Sequence, residues 1–148
     1  MLRSGADHNL LIRSLYQSTD PRYVALYGEV LATLRPLSGG AGVFGLVTTD
    51  MLARHHIPLD CLGNELVNTY LRSVLAKYVI LAKEDALQGG YRMSLRSKDE
   101  KYNMRTLAGV FDGGGHVMAS GAYTKKSLEE IIILIETFDF DLPSGEIS

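Results

Sequence analysis

The sequence has one cysteine, no tryptophan and four prolines in 148 residues. A single thiol, Cys61, excludes an internal disulfide, and its expected role is that of a small buried hydrophobe in a reducing compartment. No apolar run approaches the length of a bilayer-spanning helix, and the N-terminus lacks a signal-peptide pattern, so the expected location is the cytoplasm, with no membrane partner. Charge of one sign is not in excess either: 15 Lys and Arg stand against 17 Asp and Glu, a net charge of −2. That balance argues against a long nucleic-acid duplex as partner, because duplex binding usually shows as a basic domain. Internal repeats and low-complexity tracts are absent as well. What is present, 46% hydrophobic and 22% charged residues, describes an ordinary globular chain long enough to bury one core.

Residues 1–18 read as an N-terminal helix or linker, with Leu11, Ile12, Leu15 and Tyr16 apolar, residues 19–140 as the folded domain, and residues 141–148 as a flexible tail. Asp20-Pro21 is a helix start, a capping acid before proline at the first helical position. Val24, Tyr27, Val30, Leu31 and Leu34 follow at helical spacing until Arg35-Pro36 and Ser38-Gly39-Gly40 end the run. Val43–Val47 reads as a strand entering a helix at Thr48-Thr49-Asp50. Pro58 and Asp60 open a further helix through Arg72. Tyr78–Ala82 is continuously apolar, as a strand buried on both faces would be. A loop ending in Gly89-Gly90 connects it to the Tyr91–Arg96 strand, so an antiparallel hairpin is the simplest connection. Asn103–Val110 is expected as a helix and Ala122–Thr124 as a short strand. Ser127 and Glu130 form a capping box for a last helix that includes the isoleucine run 131–135. The fold class is α/β: a single domain with a mixed sheet of about four or five strands flanked by helices.

Two stretches carry chemistry. In Phe111-Asp112-Gly113-Gly114-Gly115-His116-Val117-Met118-Ala119-Ser120-Gly121, three glycines allow close backbone approach to a ligand and a histidine supplies ring donors. A short helix beginning near His116 would add unpaired amide hydrogens to the same loop. In Tyr91-Arg92-Met93-Ser94-Leu95-Arg96-Ser97-Lys98, apolar residues alternate with Arg92, Ser94 and Arg96, so a strand here buries one face and holds both arginines on the other. From Arg92 to Lys126 seven basic residues face three acids, +4 in a chain of net −2. Guanidinium forks and a glycine loop with a histidine together suit phosphate oxygens.

Ser94-Leu95-Arg96-Ser97-Lys98, then Gly113-Gly114-Gly115-His116 and Ala119-Ser120-Gly121, resemble the C-terminal, substrate-binding domain of the DHH phosphoesterase superfamily. The likeness is greatest to its nanoRNase (oligoribonuclease) and phosphoadenosine-phosphate phosphatase branch, whose members are sometimes called exopolyphosphatase-related, and it covers most of the chain. The resemblance implies a substrate-phosphate site at Arg96, Ser97, Lys98, Gly113, Gly114, Gly115 and His116. It implies short RNA or a 3′-phosphorylated nucleotide as partner, and hydrolysis with manganese or magnesium in a separate catalytic half. The Asp-His-His motif and metal-holding aspartates of that half are absent here. Asp7-His8-Asn9 and Arg54-His55-His56 are partial look-alikes, the second read as a helix-end cation pair rather than metal ligands. The chain alone is therefore expected to be inactive and to bind no metal. Asp112, beside the glycines, and Ser120, where the family often has alanine, depart from the pattern. A stand-alone nucleotide-sensing module, or an interaction domain whose glycine loop is merely a turn, are the alternatives.

Overall fold

The computed structural model describes residues 21–37, 40–58, 68 and 76–141. The expected helix at 7–16, all of the one at 58–72 except residues 58 and 68, the Asp20 cap, Cys61 and the tail beyond 141 lie outside these residues. The described elements are α1 (Pro21–Thr33), β1 (Arg35–Pro36), β2 (Gly42–Val47), α2 (Thr49–Arg54), β3 (Tyr78–Glu84), β4 (Tyr91–Ser97), α3 (Met104–Gly109), β5 (Gly114–Gly115), β6 (Ala119–Thr124) and α4 (Leu128–Glu136). They form an α/β domain with one mixed, six-stranded sheet in the order β1-β2-β3-β4-β6-β5. β2 and β3 run parallel, and every other neighbouring pair is antiparallel. The count exceeds the expected four or five because two two-residue strands, β1 and β5, extend the edges.

The capping signals act as their chemistry requires. Thr48 caps α2 by accepting from the Met51 amide, and Asn103 caps α3 by accepting from the Arg105 and Thr106 amides. Ser127 caps α4 reciprocally with Glu130. Each cap satisfies amides that helix geometry leaves without an internal acceptor.

The sheet buries both faces at its centre. β3 alternates: Tyr78, Ile80 and Ala82 enter one core with Met93, Leu95, Met104, Leu107, Phe111, Ile131 and Ile135. Val79 and Leu81 enter the other with Leu26, Val30, Val47, Met51 and Leu52. α3 and α4 therefore cover one face, and α1 and α2 the opposite one. The packed stripe of α1 lies one step round from the expected one. Leu26 and Val30 are fully buried while Val24 and Leu31 are 53% and 45% exposed. Spacing sets the period of a helix, but the sheet it packs on sets which of two adjacent stripes turns inward.

The Tyr78–Ala82 and Tyr91–Arg96 segments do form the expected hairpin, with Lys83 opposite Arg92 and Val79 opposite Arg96. Asp85 organises its loop. One carboxylate oxygen accepts from the Leu87 and Gln88 amides at 2.9 and 3.0 Å, and the other from Arg92 Nε at 2.8 Å. The arginine lowers the Asp85 pKa first and the Gln88 amide next.

Candidate functional site

The glycine loop leads into a tight hairpin between β5 and β6, so the amides that a short helix beginning at His116 would have added are not supplied that way. Gly114 pairs with Gly121 and Gly115 with Ser120. The His116 amide donates to the Ala119 carbonyl at 2.7 Å, and the Ala119 amide donates back at 3.2 Å. Ser120, fully enclosed, donates from Oγ to the His116 carbonyl at 2.7 Å and pins the turn. Backbone proximity selects this outcome. A Cβ on Gly113 would lie 2.3 Å from the Gly121 carbonyl oxygen, and one on Gly115 2.7 Å from that of Ala119. Gly115 also holds φ at 141°, a conformation open to glycine. Gly114, between them, would meet nothing within 4 Å, so space lies over it.

β6 lies between β5 and β4, and the register produces three rows across the sheet. Lys83, Arg92 and Tyr123 form one row, and Leu81, Ser94, Gly121 and Gly114 the next. Val79, Arg96 and Ala119 form the third, which the Ala119–His116 hydrogen bonds extend to the turn. The middle row thus presents bare glycine backbone at Gly121 and Gly114, both exposed. Basic side chains border it.

The two arginines of β4 differ. Arg92 is exposed and neutralised by the buried Asp85. Arg96 is half-buried, and its Nη1 donates to the Leu95 and Ser120 carbonyls at 2.9 and 3.1 Å. No carboxylate pairs with Arg96 among the described residues, and its Nε and Nη2 have no protein acceptor there. Burial lowers the guanidinium pKa. The carbonyls thus fix the guanidinium plane, with two donor atoms still available for an anion.

Among the other sequence candidates, His116 is exposed at the hairpin turn. Lys98 lies just past β4, exposed, with its amide on the Lys77 carbonyl at 3.0 Å. Ser97 belongs to the opposite, apolar face. It is buried, donating from Oγ to the Asp99 carbonyl at 2.7 Å and accepting from the Asp99 amide. The structure thus places Arg96 in the row that the Ala119–His116 hydrogen bonds extend, one row from Gly114, and places Ser97 as the residue that closes the strand's end. Asp112 is exposed beside the loop with φ at 60°.

Lys83 was absent from the sequence candidates. It is half-buried on the same face as Arg96, and burial, then repulsion from Arg96 and Arg92, lowers its pKa. Its signal in the sequence is slight: a lysine one position past an apolar run, in the alternation phase of Val79 and Leu81.

His55 caps the C-terminal end of α2, and its Nε2 lies 2.9 Å from Glu29 Oε1. Arg54 pairs with both Glu29 and Asp50. The helix-end position is the expected one, and the neutralising Glu29 comes from α1. Among the described residues no group of three or more His, Cys, Asp or Glu is placed to hold a metal ion. A separate, open pocket of about 290 Å³ is lined by Thr49, Glu84, Asp85, Gly90 and Tyr91. It lies at the hairpin-loop end of β3 and β4, away from the glycine turn. Depth does not mark the phosphate-suited donors, which sit on a shallow sheet face.

Neither a protein-family model nor a curated protein matches the sequence. The fold does match solved structures. An exopolyphosphatase-related protein from Bacteroides fragilis superposes with a TM-score of 0.69 at 24% identity, over 87% of this chain and 37% of that one. A pGpG-specific phosphodiesterase, PggH, from Vibrio cholerae superposes with a TM-score of 0.53 at 12% identity, over 78% of this chain and 36% of that one. The chain therefore spans little more than a third of the length of these neighbours, and what it shares with them is the fold.

Proposed function

We propose that this domain binds the terminal phosphate of a short oligoribonucleotide or a 3′-phosphorylated adenosine nucleotide, as the substrate-gripping part of a DHH-type phosphoesterase. The observation that carries the reading is Arg96: a half-buried guanidinium with no carboxylate among the described residues, in the same row as the turn that holds His116. Gly114 leaves room for a phosphate over the sheet, and the His116 ring would offer a donor from the turn and Arg96 one from β4. Lys98 adds positive potential at the strand end. Ser97 acts by fixing that end rather than by touching the ligand. Hydrolysis would belong to a separate catalytic part, where manganese or magnesium supplies an activated water. The work of this chain is to bind and orient. The length of the two neighbours supports a partner part, since each is nearly three times as long as the stretch matched here.

Titration calorimetry with adenosine 3′,5′-bisphosphate tests the reading. Arg96→Ala should weaken binding ten- to a hundredfold, the loss of a charge-assisted contact of about 1.4–3 kcal/mol. His116→Ala should weaken it by tenfold or less, with unchanged circular dichroism in both variants. Wild-type affinity in both would leave the glycine hairpin as a turn and overturn the assignment.

A further inference from the structure

A helix laid on a sheet normally turns polar residues to the outside, and α1 does not. Leu26 and Val30 are buried against the sheet. The two charged residues of α1, Arg22 and Glu29, both turn to α2: Arg22 Nη1 donates to the His56 carbonyl at 3.2 Å, and Glu29 meets Arg54 and His55. On the side away from the sheet stand Val24, Ala25, Gly28, Leu31 and Ala32, all exposed and none polar. At about 100° per residue, Gly28 lies at the middle of this face, opposite Leu26 and Val30. Val24 and Leu31 then flank it on one side, Ala25 and Ala32 on the other. The face is therefore a ridge of large residues beside a trough of small ones. A Cβ on Gly28 would meet nothing within 4 Å, so the helix backbone is open to a neighbour there.

We propose that this face pairs with the same face of a second copy of the chain, the two α1 helices running parallel about a two-fold axis and crossing at Gly28. That symmetry carries the ridge of each copy over the trough of the other: Val24 lies against the partner's Ala25, and Leu31 against the partner's Ala32. Antiparallel pairing would instead set Val24 on the partner's Leu31 and hold the helices apart along one side. Glycine at the crossing allows the close approach that contact with small residues needs. The face carries no charge and the whole chain only −2, so two copies meet with little repulsion. Size sets the strength. The 13 residues of α1 make a face about 20 Å long and about 10 Å wide. That is on the order of 200 Å² in each copy, well under the ~800 Å² per partner of stable complexes. One helix covers such a face completely, and the pair is weak: a monomer when dilute that dimerises as it is concentrated.

The inference is independent of the phosphate-site reading. Sedimentation equilibrium of the full chain, from about 10 μM to about 1 mM, tests it. Wild type should be monomeric at the low end and substantially dimeric at the high end. Gly28→Leu fills the crossing and should weaken association by about tenfold or more. Ala32→Leu sets a leucine against the partner's Leu31 and should weaken it to a similar degree. Adding Leu31→Ala to Ala32→Leu again places a small residue opposite a large one, and should restore association to within about threefold of wild type. Circular dichroism should be unchanged in every variant, because these side chains leave the helix on its solvent side. A wild-type chain that stays monomeric at about 1 mM, a dimer that survives Gly28→Leu, or a double variant as weak as Ala32→Leu alone would each overturn the proposal.

Discussion

Two clusters of basic side chains flank the α1–α2 layer, and they differ in what neutralises them. At the end of α2, Arg54 and His55 converge on Glu29, and Arg54 also meets Asp50. On the β4–β6 face, Arg96 and Lys83 have no carboxylate among the described residues, and only Arg92 does. The first cluster is complete as it stands: a helix end tied to a neighbouring helix through an ion network. The second lacks its counter-charge, and the backbone beside it is stripped of side chains at Gly114 and Gly121. Basic composition alone does not separate these cases. Neutralisation among the described residues does, and it is the ground on which the sheet face is proposed as the anion's place.

The comparison can be broken most strongly at the hairpin. Gly113→Ala would push a methyl into the Gly121 carbonyl and the Ala122 backbone, where no flexible side chain can yield. A loss of about 1–3 kcal/mol in urea unfolding is expected, together with loss of nucleotide binding, while Arg54 and His55 keep their partners. Gly114→Ala serves as the control, since its methyl meets open space. Equal stability in the two variants would contradict the backbone-contact account.

A smaller effect of opposite sign is expected at Lys83. Removing a half-buried cation with no acidic partner among the described residues should stabilise the folded protein, so Lys83→Met should gain about 0.5–2 kcal/mol near neutral pH. The sign with pH follows from linkage. The native pKa is below the ordinary 10.5, so between the two values the unfolded chain holds a proton that the native state has released. Wild-type stability therefore rises with pH through that window, and the advantage of Lys83→Met shrinks. A gain that persists unchanged above pH 10.5 would exclude charge as its cause.

The smallest expected effect belongs to the neutralised cluster. Arg54→Ala should shift the unfolding midpoint less than either change above, because these pairs are partly solvated. It should leave nucleotide affinity untouched. The Glu29 pKa is lowered from 4.5, first by the hydrogen bond with His55 and also by Arg54. Its contribution is therefore fully present above pH 4.5 and is lost as pH falls through the lower native value. Unfolding curves of wild type and Glu29→Gln should converge in acid; curves that stay parallel would show that Glu29 acts through packing alone.

Several features were legible because they depend on residues close in sequence. The alternation of Tyr91, Met93 and Leu95 with Arg92, Ser94 and Arg96 reports the two faces of one strand, and the structure keeps that division. Thr48, Asn103 and Ser127 announce helix starts because a cap needs only the next three amides. The glycine loop was legible as a place of close approach but not as a hairpin. What Gly113 and Gly115 approach is β6, and no local pattern reveals that Ser120 locks the turn. Lys83 escaped notice because its row partners, Arg92 and Tyr123, are supplied by two other strands.

Local signals suffice to mark most helix starts and the central strands, to give an α/β domain, and to show which residue types suit a phosphate. Those properties follow from capping, periodicity and side-chain chemistry, all of short range. Only the tertiary structure decided which cations are neutralised, which stripe of α1 turns inward, and that Arg96, Lys83 and the glycine turn share one sheet face. Each of these depends on strand register and on partners far along the chain. A single residue of slip would send every side chain of β4 to the other side.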